Sequence, residues 1–149
     1  MLKKTLRKML LLITRLVFSI KYNVKSINKP DNFTADKSGV LFLSNNTSWI
    51  DAAIILIASD DNIRFVFPRY LENNKIFNFL MNLYDVIKID DTPEQLKDND
   101  IDKVAQALNK GQKVCMFPEK AITFSGQMGY FYDDFEKVLE KTDDSVVIY

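Results

Sequence analysis

The first 21 residues alternate apolar and basic positions at the spacing of an α-helix. Apolar side chains recur every three or four residues, which places them on one face of a helix. The apolar set is Leu2, Leu6, Met9, Leu10, Ile13, Leu16, Val17 and Ile20. The basic residues between them are Lys3, Lys4, Arg7, Lys8 and Arg15. The pattern predicts a basic amphipathic helix.

Three interpretations of this helix are open. A helix that spans a bilayer needs about 20 continuous apolar residues, and Arg15 interrupts the run, so a helix lying in the membrane interface fits better. A basic start and a short apolar stretch are also typical of a secretory signal, although no small-residue cleavage site follows. The third interpretation packs the helix on its own domain, which is compatible with membrane contact.

From Gly39 onward, short β-rich runs alternate with longer helical patterns. The sequence predicts strands at residues 40–43, 64–67, 85–89, 113–117 and 146–149. It predicts helices at residues 51–58, 71–83, 101–108 and 131–139. This alternation predicts an α/β fold with a mixed, mostly parallel sheet flanked by helices.

Length and turn residues predict one folded domain after the helix. A chain of 149 residues supports a single core, and the polar stretch 29–38 is typical of a linker. The chain therefore divides into an N-terminal helix at 1–28 and a domain at 39–149. The apolar strand 146–149 has no cap or tail after it, so we expect the domain to be truncated at its C-terminus.

The charge of the chain is distributed unevenly. The net charge is zero, but residues 1–30 carry no acid and eight basic residues, namely Lys3, Lys4, Arg7, Lys8, Arg15, Lys21, Lys25 and Lys29. A nucleic-acid-binding domain would carry basic residues on its folded body, so we expect no nucleic-acid partner. An anionic phospholipid surface is the natural partner of the helix, and we expect a peripheral location on the cytoplasmic face of a membrane.

The chain contains no histidine and one cysteine. The missing histidine excludes Ser-His and Cys-His catalysis and histidine-ligated metal sites. Cys115 lies in an apolar strand, which predicts a buried structural thiol with no chemistry.

Two segments follow predicted strands with polar residues. Residues 41–51 run from an apolar strand through a polar turn into a helix, and such turns often hold reactive groups in α/β folds. Ser48 and Asp51 also have the spacing of a capping box, so both could simply start the helix. The second segment, residues 114–119, ends a strand with Pro118 and Glu119, and its alternative interpretation is a strand end with a solvated acid.

Together these segments resemble the glycerolipid acyltransferase superfamily. Its first motif reads Asn-His-x-Ser-x-x-Asp and its third reads Phe-Pro-Glu-Gly, where this chain has Asn45-Asn46-Thr47-Ser48-Trp49-Ile50-Asp51 and Phe117-Pro118-Glu119-Lys120. The resemblance covers nearly everything from Gly39 onward. It is closest to domains that acylate 2-acylglycerophosphoethanolamine.

The resemblance implies transfer of an acyl chain from a thioester to the free hydroxyl of a lysophospholipid. Acyl carrier protein or acyl-CoA would supply the chain as co-substrate, and no tightly bound cofactor or metal is implied. The catalytic positions would be Asn46, at the place of the family histidine, and Asp51, which in the family orients that histidine. Substrate binding would fall to Ser48, Phe117, Pro118, Glu119, Lys120 and Thr123.

Several residues depart from the family pattern. An amide cannot act as a base near neutral pH, so Asn46 cannot replace the histidine. Lys120 replaces the glycine that lets the backbone approach a phosphate, and Phe124 stands where an arginine is frequent. Asp133 and Asp134 replace a basic residue and a glycine, and we expect these acids to repel an anionic head group.

Three functional hypotheses follow. The chain could be an acyltransferase with weak or lost turnover, or an active enzyme that uses Asp51 or Glu119 as base. It could also be a non-catalytic module that docks on anionic lipid through its helix and holds a lipid or a protein in the remaining cleft.

Overall fold

Five helices and five strands occur in the part of the chain that the computed structural model describes, residues 2–21, 39–48, 50–59, 63–90, 96–119, 122, 127 and 129–149. The helices are α1 (Leu2–Lys21), α2 (Asp51–Ser59), α3 (Lys75–Leu83), α4 (Asp98–Asn109) and α5 (Asp134–Leu139). The strands are β1 (Val40–Leu43), β2 (Ile63–Pro68), β3 (Ile87–Ile89), β4 (Lys113–Met116) and β5 (Val147–Ile148). A short 3₁₀-helix, Arg69–Asn73, precedes α3.

The strands form one sheet in the order β3-β2-β4-β1-β5. Every strand pair between described residues is parallel. The predicted α/β fold is confirmed, and the described pairings show only its parallel part. Parallel pairing requires the helical crossovers that the alternating pattern indicated.

The sheet separates two apolar clusters, because alternate residues of a strand point to opposite faces. Phe65 and Cys115 pack on the face covered by α2. Val66 and Val114 pack with α4 and Val138 of α5 on the other face. Both faces are therefore covered, as is usual for a parallel sheet.

Gly39 sets the start of β1 against the end of α4. A Cβ atom at this position would lie 2.2 Å from the Leu108 carbonyl oxygen, which is a rigid backbone atom. The Gly39 carbonyl also accepts a hydrogen bond from Val147 N at 3.0 Å. Only glycine allows the first strand to lie this close to the helix.

Element boundaries differ from the predicted ones where polar residues cap or turn the chain. The predicted helix 71–83 begins as α3 only at Lys75, because the Asn74 side chain accepts from the backbone N–H groups of Ile76 and Phe77. The predicted strand from residue 85 starts at Ile87, since Asp85 has a φ of 51° and belongs to a turn.

Candidate functional site

Parallel pairing of β1 and β4 brings the two motif segments together. Leu43 pairs with Met116 at the ends of these strands, and Ser44 N donates to Met116 O at 3.1 Å. Residues 44–48 and 117–119 therefore leave the sheet at the same edge. The carboxyl edge of a parallel sheet is where α/β proteins place their sites.

Asp51 is held by the turn that precedes α2. Its Oδ2 atom accepts from Thr47 N at 2.6 Å, from Ser48 N at 2.8 Å and from the Thr47 hydroxyl at 3.2 Å. The Ser48 hydroxyl in turn accepts from Ile50 N at 3.3 Å. Ser48 and Asp51 thus start the helix as a variant of the capping box, and this contact fixes where the Asp51 carboxylate lies.

Asn46 lies half-buried in the same turn, five positions before Asp51. Its amide has no nitrogen that takes up a proton near neutral pH, and the chain has no histidine. The turn therefore holds the carboxylate that would orient an imidazole, while the imidazole is absent.

The second segment joins the sheet to the loop before α5. Pro118 O accepts from Tyr132 N at 3.1 Å, and Glu119 is buried, with 4% of its surface exposed. The alternative interpretation of Glu119 as a solvated acid is therefore wrong. Lys120, Thr123 and Phe124 lie outside the described residues, so the substrate-binding roles assigned to Lys120 and Thr123 stay predictions.

Asp134 does not face a ligand, which corrects the expectation that it repels an anionic head group. Its side chain is 3% exposed, and Oδ1 accepts from Leu96 N at 2.9 Å. Asp134 ties the start of α5 to the segment before α4. Asp133 is exposed and lies 3.5 Å from the Lys137 ammonium, which offsets part of its charge.

An apolar cavity of about 270 Å³ lies between α1, α2, α3 and β2. Ala52, the residue after Asp51, is among its lining residues. Of the described lining residues, Thr14 and Tyr84 carry a hydroxyl group and the others are apolar. The lining consists of Leu10, Leu11, Thr14, Ala52, Ala53, Leu56, Phe65, Phe67, Leu71, Phe77, Leu80, Met81, Tyr84 and Val86.

Phe117 links the second segment to this cavity. Its ring is stacked with those of Phe65 and Phe67, at centroid distances of 6.2 and 5.6 Å. Both partner rings line the cavity. Phe117 therefore packs against two of the rings that line the cavity.

Cys115 is fully buried on the α2 face of the sheet. Burial raises the pKa of its thiol to about 12. A neutral buried thiol is a poor nucleophile, which confirms the predicted structural role.

Some basic residues of α1 contact the rest of the protein, and others are exposed to solvent. Arg7 donates to Leu83 O and forms an ion pair with Asp85, to which Lys3 also binds. Arg15 donates to Ile57 O at 3.5 Å. Arg7 and Arg15 thus hold α1 to the domain, while Lys4 and Lys8 are exposed. Membrane contact by the five basic residues stays a prediction.

The outward face of α1 is apolar. It exposes Leu2, Leu6, Met9, Leu12, Ile13, Leu16, Val17 and Ile20. Leu10, which the periodic pattern grouped with these residues, instead lines the cavity. Of the three interpretations, packing on the domain is confirmed. None of the helices in the described ranges is both long and apolar enough to cross a bilayer.

Comparison with known proteins identifies the family of the chain. The α/β sheet has both motif segments at its carboxyl edge, where α/β proteins place their sites. The family model described as Acyltransferase matches residues 20–149, and the chain therefore belongs to the acyltransferase family. No curated protein and no solved structure matches the chain.

Proposed function

We propose that this protein binds an acyl chain in the cavity beside Asp51 and transfers it slowly to a lysophospholipid. The observation that supports this most directly is the apolar cavity itself, whose lining includes Ala52, the residue after Asp51. Its apolar lining suits a hydrocarbon chain, because burial of each CH₂ group is favourable. The thioester of the acyl donor, acyl carrier protein or acyl-CoA, would then lie near the Asn46 turn.

Slow transfer follows from Asn46. General base catalysis contributes roughly 10²- to 10⁴-fold to a rate, and the turn provides no base at the family position. Positioning of the acyl chain and the acceptor hydroxyl still lowers the barrier, so some turnover remains.

The same proposal places the protein on a membrane surface, at the cytoplasmic face. The outward side of α1 is apolar along its whole length, and exposed Lys4 and Lys8 lie beside it. Such helices lie in the interface, with the apolar face among acyl chains and the lysines near anionic head groups. A lysophospholipid acceptor is then already in the same membrane.

Restoring the base tests this proposal. We expect the Asn46→His variant to transfer an acyl chain to lysophosphatidylethanolamine roughly 100-fold faster than the wild type, or more. The measurement is acyl transfer by purified protein on vesicles, with acyl-CoA and acyl carrier protein thioesters supplied in turn. Asn45→His is the matched control, because it places the same imidazole one residue away on an exposed position.

Equal transfer rates in the wild type and in Asn46→His would contradict the interpretation that the missing base at position 46 slows transfer. A rate gained equally by Asn45→His would mean that the position of the imidazole does not matter. If neither the wild type nor either variant transfers an acyl chain, the proposed reaction is wrong.

The absent histidine favours a second candidate, a non-catalytic lipid-binding module. Such a module keeps the cavity and the outward face of α1 but has no turnover. It is supported if all three proteins bind fatty acid with equal affinity while none transfers it. The Asn46→His variant thus separates the two candidates.

A further inference from the structure

We propose that α1 is a wall of the acyl-chain site, and that Leu10, Leu11 and Thr14 set the length of the chain that the site accepts. This inference rests on the proposed acyl-binding function and adds the residues that determine its specificity. Its basis is the cavity lining, to which α1 contributes these three side chains. The remaining lining comes from α2, β2, the 3₁₀-helix, α3 and the residues that follow α3.

The wall is fixed to the domain near one end by Arg7. The Arg7 side chain is only 15% exposed, and it binds both Leu83 O and the Asp85 carboxylate. Its guanidinium lies 5.8 Å from the centre of the Tyr84 ring, and Tyr84 itself lines the cavity. Charged hydrogen bonds of this kind are stronger than neutral ones, so they hold α1 at a defined distance from the cavity-lining residues of the other elements.

Further along α1, Arg15 reaches α2. Its guanidinium donates to Ile57 O at 3.5 Å, and the neighbouring Leu56 lines the cavity. Between these two attachments lie Leu10, Leu11 and Thr14. The Thr14 hydroxyl donates to Leu10 O at 2.8 Å, so it needs no partner inside the cavity and the wall remains suited to hydrocarbon.

Most of α1 lies before the family match, and the inference concerns that part of the helix. The match begins at residue 20, so the three wall residues precede it. The matched domain thus carries the motif segments, while the preceding helix completes the apolar space beside them. The same helix exposes its opposite face, including Leu12 at 68% and Ile13 at 53% exposure.

Chain-length preference in fatty-acid binding tests the wall without any need for turnover. The measurement is displacement of a fluorescent fatty acid from the purified full chain by saturated fatty acids of increasing length. Thr14→Trp fills the cavity, so we expect the longest chains to bind about tenfold more weakly, since each buried CH₂ contributes roughly fourfold to affinity. Leu11→Ala enlarges the cavity, so the preferred length should increase.

Matched controls carry the same substitutions on the exposed face of α1. Leu12→Ala and Ile13→Trp should keep the wild-type preference, because their side chains point away from the cavity. Thermal unfolding of each variant checks that it folds. If Leu11→Ala does not fold, Thr14→Ala replaces it as the enlarging variant.

Each outcome has a distinct meaning. Opposite shifts for the filling and enlarging variants support the wall. Binding of fatty acids by the wild type with no shift in any variant overturns the inference and leaves the proposed function standing. Failure of the wild type to bind any fatty acid overturns the acyl-binding function, and the inference with it.

Discussion

The Asp51 carboxylate has a structural role at the start of α2 and stands at the position of the aspartate in the family pattern. Three donors from Thr47 and Ser48 converge on its Oδ2 atom, which makes it the acceptor that starts α2. In the family pattern the same residue orients a histidine, and this chain has none. The structural role therefore persists where the catalytic partner is missing, and the two roles can be separated by substitution.

The structural role predicts a graded loss of stability at position 51. Asp51→Ala leaves the N–H groups of Thr47 and Ser48 without this acceptor, so we expect it to lower the free energy of unfolding by about 1 kcal/mol. Asp51→Asn keeps an acceptor oxygen and should cost less. Urea-induced unfolding measures both, and an alanine variant as stable as the wild type would contradict the role.

The same pair of variants addresses the hypothesis that Asp51 is itself the base. An Asp51→Asn variant that retains its stability and its transfer rate excludes that hypothesis. A rate that rises with pH in the wild type and is lost in Asp51→Asn supports it.

Among the elements, α1 is attached near Leu83 in part through the ion pairs of Lys3 and Arg7 with Asp85. Burial alone would raise the pKa of Asp85, but hydrogen bonds and charge from Lys3 and Arg7 outweigh it and hold the pKa below the ordinary value of 3.8. A carboxyl group whose pKa is lower in the folded state stabilises that state above its unfolded pKa. The contribution is lost as the pH falls through the folded value.

We therefore expect the packing of α1 to weaken in acid through Asp85. At neutral pH, Asp85→Asn should be less stable than the wild type, and the difference should shrink toward zero as the pH falls below 3.8. Thermal unfolding across pH measures this, with Asp102→Asn as a control because Asp102 pairs with Lys141 away from α1. A difference independent of pH would contradict the attachment.

On the scale of the whole molecule, the two faces of α1 allow the proposed membrane binding to be tested separately from domain packing. Lys4 and Lys8 are exposed, whereas Arg7 and Arg15 bind the domain. Lys4→Glu and Lys8→Glu should each weaken sedimentation with anionic vesicles about fivefold or more, since each basic residue near such a surface contributes about 1 kcal/mol.

Lys110→Glu is the matched control for vesicle binding, because Lys110 is exposed at the far end of α4. It should leave sedimentation nearly unchanged. Equal losses for all three variants would indicate a general charge effect rather than binding through α1.

The succession of strands and helices along the chain could be predicted, because each element has its own pattern of apolar and polar residues. The position of each motif segment after a strand could also be predicted, whereas their place side by side depends on the pairing of β1 with β4. The cavity could not be predicted, because its lining comes from elements far apart in sequence. Leu10 and Ile13 both belong to the helical pattern, yet Leu10 lines the cavity and Ile13 is exposed.

The roles of two charged residues could not be predicted for a related reason. Asp134 and Arg7 are residue types that usually lie at the surface. Their hydrogen-bond partners, Leu96 N and Leu83 O, show that they hold elements together. Such partners are set by tertiary packing and leave no local signal.

The position of β1 inside the sheet has a consequence for synthesis of the chain. Among the described strands, β1 is made first, but its hydrogen-bonded neighbours are β4 and β5, which are made after the others. During translation, the backbone N–H and C=O groups of β1 have no partner strand until Lys113 and the residues after it have left the ribosome. Non-local pairing of this kind slows folding and leaves strand edges open to other chains in the meantime.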